Sequence, residues 1–364
     1  MKSVLYIMHI SWGWIKQRPQ FIAEELAKNY KVDVYYRKSN HLRKGLNPVI
    51  NNGNLVIRGF RDLPLERLSF IPIQTSYIIN KLIWKFKNMD WDKYDYIWVT
   101  DPIIWWVIKS SKWSKKIKVI YDCMDDYTAF PYVVKYPKYK QFMEKCESDL
   151  IKEADFIICS AESLSNKLIK KYNISKKINI INNAVSSDLF GYSLNSISTQ
   201  LPVNSFVYIG TISEWFDFNN IIRLLDDNQE LNVVLYGPIR TNVLPSHKRL
   251  HIKGPIQHKD ILDVMHKATA LIMPFVVNEL TEGVNPVKLY EYAYSGKPII
   301  ASRYSETEKF REHVLLYSSY EEFDKYVKDI LNSKISVNLD NMREFARNNV
   351  WGSRVIEIEK VLNG

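Results

Sequence analysis

A chain of 364 residues with 46% hydrophobic and 25% charged residues is too long for one ordinary core; its balance argues against a disordered polymer and for roughly two globular domains. The net charge of +10 and pI near 9.1 favour an anionic partner, whether nucleic acid, an acidic membrane surface or a phosphorylated small molecule, although a lysine-rich solvated surface gives the same total. The three cysteines, Cys123, Cys146 and Cys159, form no CxxC pair, which argues against a disulfide framework or zinc knuckle and fits a reducing cytoplasm.

Taken in chain order, MKSVLYIMHISWGW (1–14) holds one lysine and a short apolar run broken by His9 and Ser11, so it reads as a first strand rather than a signal peptide. Short apolar strands then alternate with helical patterns: SVLYIMHI (3–10), KVDVYYR (31–37), YIWVT (96–100), KVIYDC (118–123) and DFIICS (155–160), with NLVIRGF (54–60) a further candidate. PQFIAEELAKN (19–29) and residues 138–154 are helical. In the second half SFVYIG (205–210), NVVLYG (232–237), LHIKG (250–254), ALIMPF (270–275) and KPIIAS (297–302) repeat the pattern, each expected to lead into a turn and a helix. This is the signature of parallel α/β units. Periodicity disappears over 184–204, where Ser and Asn accumulate. The expected organisation is an N-terminal domain over 1–185, a second over 186–345, and a helical tail over 346–364 packing back toward the first, with Trp351 as its anchor. No apolar run approaches the ~18 residues that span a bilayer. Two doubly wound sheets facing across a cleft would present their ligand loops at the carboxyl ends of the strands.

The stretch NPVKLYEYAYSGKPIIAS (285–302) reads as a helix with Asn285 as N-cap, Pro286 in its first position, Val287 next and Gly296 as its stop. Lys288 then faces the positive end of the helix dipole, at a cost of a few tenths to about 1 kcal/mol. Lys288, Glu291 and Tyr292 share a face. The plain reading is a Lys–Glu surface pair; the functional one is a helix start that binds phosphate, with Lys288 completing it and Glu291 accepting from ribose hydroxyls. A second helix start, SWGWIKQRPQF (11–21), holds Trp14, Gln17 and Arg18. Arg18 either packs on a tryptophan or meets an acceptor phosphate. In VIYDCMDDY (119–127) the crowded Asp122, Asp125 and Asp126 are expected to repel one another, raising one carboxyl toward a general base; Asp125 comes first, Asp126 second, and His9 is a further candidate. Capping and lysine pairs are the structural alternatives. There is no GxGxxG, which argues against a nicotinamide enzyme. The basic aromatic runs 76–91 and 103–116 place Trp84, Trp105, Trp106 and Trp113 among Lys81, Lys85, Lys87, Lys109, Lys112, Lys115 and Lys116; they suit an anionic bilayer, or two helices with aromatic faces turned to a core.

The segment 285–302 resembles the donor-binding motif of GT-B glycosyltransferases, particularly the bacterial group 1 type that builds surface polysaccharides and teichuronic acids. FVYIGTISEWFDFNN (206–220), HIKGPIQHKDILDVMHKATALIMPF (251–275) and INIINNAVSSDLF (178–190) are similar to that family's second domain and domain junction. HISWGWIKQRPQFIAEELAK (9–28) and VIYDCMDDYTAF (119–130) are similar to its teichuronic-acid branch. The resemblance implies a GT-B fold of two Rossmann-like domains and transfer of a sugar from a nucleotide diphosphate, uridine ahead of guanosine, to a lipid-linked glycan hydroxyl, without a metal cofactor, at the cytoplasmic face of the membrane. It implies that Glu291 holds the ribose, that Lys288 and nearby amides hold the diphosphate, that Gly210 and Thr211 line the phosphate pocket, and that the turn from Gly254 to Ile256 lies near the base. Trp14, Gln17 and Arg18 fall on the acceptor side. Two positions depart from the pattern: Gly283 stands where a glutamate is usual, and Glu214 and Asp217 occupy a loop that often carries a basic pair. A nucleotide-sugar epimerase of the same architecture and a basic nucleic-acid-binding protein are the alternatives.

Overall fold

The computed structural model describes residues 1–13, 16–37, 50–60, 90–109, 116–191, 200–241, 243–257 and 260–364. The chain divides into two compact units, Met1–Asn182 with Arg354–Gly364, and Asn183–Ser353.

The first unit is built from β1 (Ser3–Met8), α1 (Arg18–Leu26), β2 (Lys31–Arg37), β3 (Ile50–Asn52), β4 (Leu55–Phe60), β5 (Tyr96–Val99), α2 (Pro102–Ile108), β6 (Lys118–Cys123), α3 (Pro131–Val134), α4 (Pro137–Glu153), β7 (Phe156–Cys159), α5 (Glu162–Tyr172) and β8 (Ile178–Ile180). Its sheet runs β3-β4-β2-β1-β5-β6-β7-β8 and is parallel apart from the β3–β4 pair. Strands such as VLYIM, buried on both faces, need to be apolar throughout rather than alternating. The order reverses between β1 and β5, so the loops after those two strands diverge and leave room for a ligand. Helix α2 begins there because Asp101 accepts from the Ile104 N–H at 2.7 Å and Pro102 needs no donor.

The second unit comprises β9 (Ser205–Ile209), α6 (Phe218–Asp227), β10 (Asn232–Tyr236), β11 (Leu250–Gly254), α7 (Ile261–Lys267), β12 (Ala270–Met273), α8 (Val287–Ser295), β13 (Ile299–Ser302), β14 (Leu315–Tyr317), α9 (Tyr320–Leu331) and α10 (Leu339–Asn348). Its sheet, β11-β10-β9-β12-β13-β14, is parallel throughout and switches between β9 and β12. The connection from β10 to β11 holds no helix among the described residues, contrary to the expected alternation. Each unit has its own core. A last helix, α11 (Trp351–Asn363), starts in the second unit and ends in the first. Trp351 is buried. No described helix is long and apolar enough to cross a membrane.

The aromatic run at 103–108 is largely turned to the core. Trp105 is 1% exposed and donates to Glu153, which also pairs with Lys109; Trp106 is half-buried, edge-on to Phe142 at 5.2 Å. These two indoles pack α2 onto α4. Trp84 and Trp113, with Lys81, Lys85, Lys87, Lys112 and Lys115, lie outside the described residues.

Candidate active site

Expected site residues of both units lie at or beside the carboxyl ends of the strands. At the carboxyl edge of the first sheet, His9 follows β1 and its Nδ1 lies 3.2 Å from the Thr100 hydroxyl, just beyond β5. Tyr127 stands edge-on to His9, with centroids 5.6 Å apart, and donates its hydroxyl to the Thr100 carbonyl. Asp125 sits in the turn after β6, where its carbonyl accepts the Tyr127 N–H at 3.1 Å. Burial pushes its carboxyl up to about 7; nearby Arg18 opposes this, while Asp126 and Asp122 add to it. A carboxyl that is half ionised near neutrality is matched to general-base work.

The neighbouring aspartates have other tasks. Burial works against ionisation of Asp126, but its ion pair with Lys167 and its bonds from the Thr128 N–H (3.0 Å) and hydroxyl (2.8 Å) outweigh that and hold it below the usual range. Asp126 is therefore a poor base, contrary to its place as second candidate. Asp122 is fully buried and paired with Arg18, whose Nη2 and Nε lie 2.9 and 3.1 Å from one carboxylate oxygen; Arg18 Nη1 donates to the Ile181 carbonyl at 2.8 Å, and Trp98 donates to Asp122 at 3.3 Å. Arg18 is only 2% exposed. The expectation that it meets an acceptor phosphate is thus overturned: its guanidinium ties α1 to β6 and to the end of β8. Gln17 is the half-buried N-cap of α1, its N–H bonded to the Gln20 side chain at 3.0 Å. Trp14 lies outside the described residues.

In the second unit, helix α8 follows β12 and begins at Val287, one residue later than expected. Asn285 is not a side-chain cap. It is 2% exposed; its Oδ1 accepts the Asn183 N–H at 2.9 Å, its carbonyl accepts from Asn183 Nδ2 at 2.7 Å, and its amide donates to Glu306 at 3.0 Å. With its amide so engaged it fastens the start of α8 to residue 183, and the expected donor contact is withdrawn. Pro286 is buried and caps the helix through its backbone; Val287 is half-buried. Gly296 closes the helix at φ +67.

Lys288 and Glu291 do pair, at 2.8 Å, with the lysine side chain 29% exposed and the glutamate 10%. The intrahelical pair offsets the dipole penalty on Lys288 while keeping its ammonium within reach of solvent. One turn on from Lys288, Tyr292 accepts the Ile209 N–H at 2.8 Å. That bond docks α8 against the end of β9, immediately before Gly210.

The ends of β9, β10 and β11 form a ledge of bare backbone. Gly210 N–H donates to Tyr236 O, and Gly237 N–H to Gly254 O, each at 2.8 Å. At Gly237, φ is +146 and a Cβ would stand 1.8 Å from the Gly210 carbonyl oxygen. Only glycine lets these two loops approach so closely. Thr211 is half-buried and its carbonyl accepts from Tyr208 at 3.0 Å; Ile256, two residues past Gly254, packs partly against the core. Lys288, Glu291, Gly210, Thr211 and Ile256 thus share the carboxyl side of one sheet. Sequence reasoning placed Tyr292 on the Lys288 face but not its bond to Ile209, and it missed Gly237, which the YG pair ending β10 marks.

No family model matches the chain. A curated relative, provisionally named as the teichuronic acid biosynthesis glycosyltransferase TuaH of Bacillus subtilis (strain 168), is 26% identical over 236 residues, a match spanning 59% of this chain and 57% of that protein. Among solved structures, sucrose-phosphate synthase from Thermosynechococcus elongatus superposes with a TM-score of 0.71 at 14% identity, over 100% of this chain and 98% of that one. Anabaena HepE in complex with UDP and glucose gives 0.67 at 14% identity, over 99% of both chains. The E. coli trehalose-6-phosphate structure bound with UDP-2-fluoro glucose gives 0.71 at 8% identity, over 98% of both. The fold is GT-B. In a GT-B chain the carboxyl ends of both sheets are natural ligand positions, and here each carries chemistry: a titrating carboxyl after β6 of the first, a lysine-bearing helix start and glycine ledge in the second. Among the described residues no group of three or more His, Cys, Asp or Glu could hold a metal ion.

Proposed function

We propose that the protein is a glycosyltransferase that moves a sugar from a nucleotide diphosphate to the hydroxyl of a growing surface glycan. The observation that carries the reading is the Lys288–Glu291 pair in the first turns of α8, bonded through Tyr292 to the end of β9 beside the Gly210–Gly237 ledge. In this reading Lys288 leaves Glu291 for the diphosphate and offsets the charge that grows on it as the sugar departs. Glu291, released, accepts from the ribose hydroxyls. Amides at the helix start receive the phosphates, the side-chain-free ledge leaves room for them, and the Gly254–Ile256 turn receives the base. Uridine is the expected base, in keeping with the UDP and UDP-sugar bound by HepE and the E. coli structure.

For a reaction that inverts the anomeric carbon, Asp125 takes the proton of the acceptor hydroxyl, with His9, Thr100 and Tyr127 shaping its surroundings. The surface-glycan acceptor draws support from the name of the Bacillus subtilis relative. A lipid anchor on that acceptor and an anionic membrane as the place of action rest on the net charge of +10 and on the lysines and tryptophans of 76–91 and 110–115. Trp105, buried in the core, takes no part.

Calorimetric titration of UDP tests the donor site. Lys288→Ala and Glu291→Ala should each weaken binding about 10- to 100-fold, since hydrogen bonds to charged groups contribute about 1.5–3 kcal/mol. Unchanged affinity in both variants refutes the assignment.

A further inference from the structure

The loops after β9, β10 and β12 enclose a groove of about 460 Å³, within the range of small-molecule sites. It lies at the β9/β12 switch point of the second sheet, on the loop where Glu214 and Asp217 replace an expected basic pair. Its walls are fixed by backbone bonds: Arg240 N–H to Ile212 O at 2.7 Å, Val276 N–H to Trp215 O at 2.8 Å, and Asp217 N–H to Pro274 O at 2.8 Å. A site so braced loses little freedom on binding.

The geometry points to a subsite for an uncharged saccharide unit of the acceptor. This deepens the glycosyl-transfer reading above and rests on it for the occupant's role. Half-buried Phe218 gives one side an aromatic surface, backed by buried Phe216 at 4.8 Å between ring centroids. Val243 and Val276, 76% and 41% exposed, continue it as a rim. This apolar rim matches the C–H faces of pyranose rings. Glu214, Asn219 and Thr241 line the same groove with acceptors and donors suited to sugar hydroxyls. Among the described residues no lysine or arginine lines it, while Glu214 and Asp217 do. Two carboxylates and no cation repel phosphate and uronate alike, so neither the diphosphate nor an acidic sugar belongs here.

Saturation-transfer NMR on the full chain tests this, using neutral disaccharides of hexose and N-acetylhexosamine units against glucuronic acid. Transfer is expected to the neutral sugars only. Phe218→Ala should reduce it several-fold, and Glu214→Lys, at an exposed position that leaves folding intact, should weaken neutral sugars and bring in glucuronate. Transfer to no neutral sugar, transfer to glucuronate in the unaltered protein, or transfer that neither variant changes overturns the proposal. UDP titrated into the same unaltered protein separates the two readings: UDP binding without saccharide transfer sinks the subsite alone, and saccharide transfer without UDP binding sinks the donor assignment alone.

Discussion

Asp125→Asn should make the protein more stable and less active, and the gain should depend on pH. The Asp125 carboxyl titrates near 3.8 in the unfolded chain and near 7 in the folded one. Folding therefore favours its protonated form, and the stability this brings is fully present below about pH 4 and lost as pH rises to about 7. The complete difference corresponds to about 4 kcal/mol. Asp125 keeps some contact with solvent, which screens the effect, so on the order of 2 kcal/mol is expected. Asparagine does not titrate and escapes the penalty. For a unit of about 190 residues that gain raises the melting temperature by about 4–8 °C. Scanning calorimetry at pH 8 should show this increase over the unaltered protein, and about half of it at pH 5.5. Loss of a general base should lower turnover by about 10²- to 10⁴-fold. A variant no more stable at pH 8, or one whose advantage does not shrink in acid, refutes the placement of a raised carboxyl at this turn.

Arg18→Met leaves Asp122 buried and unpaired and should cost about 3–5 kcal/mol in urea unfolding, whereas Arg18→Met combined with Asp122→Leu should recover much of the loss. Gly237→Ala should destabilise by at least about 3 kcal/mol through its clash and its backbone strain, while Gly283→Ala, with nothing within 4 Å of the added carbon, should change the melting temperature little. Trp105→Ala should cost about 3–5 kcal/mol, as expected of a core tryptophan. Vesicle co-sedimentation that fell on changing Trp105 while the melting temperature stayed the same would contradict that burial; Trp84→Ser and Trp113→Ser are the informative docking variants.

Much of the architecture is legible in the sequence because parallel strands buried on both faces leave uninterrupted apolar runs, and all five expected strands of the second sheet form where SFVYIG, NVVLYG, LHIKG, ALIMPF and KPIIAS stand. Strands β3, β8 and β14, three residues each, are too short to show a period. The site is legible where chemistry is local. Lys288 and Glu291 are one turn apart, and their pairing follows from helical spacing. It is hidden where partners are distant in sequence: Arg18 meets Asp122 across 104 positions, and Asn285 is turned away from its helix by Asn183 and Glu306. Crowding of Asp122, Asp125 and Asp126 announces that one carboxyl is perturbed. Which one depends on Arg18 and Lys167, and neither announces its partner.

Helix α11 has a consequence for how the chain reaches its native state. Its far end lies with the first unit, where Glu359 accepts from Asn29 at 3.0 Å and Asn363 from Lys2 at 3.3 Å. On the ribosome, the sheet of residues 1–182 emerges well before the helix that covers this edge. The sheet of residues 1–182 must therefore wait, incompletely sealed, through translation of the whole second unit, and a nascent chain interrupted before Arg354 would expose that seam to proteases.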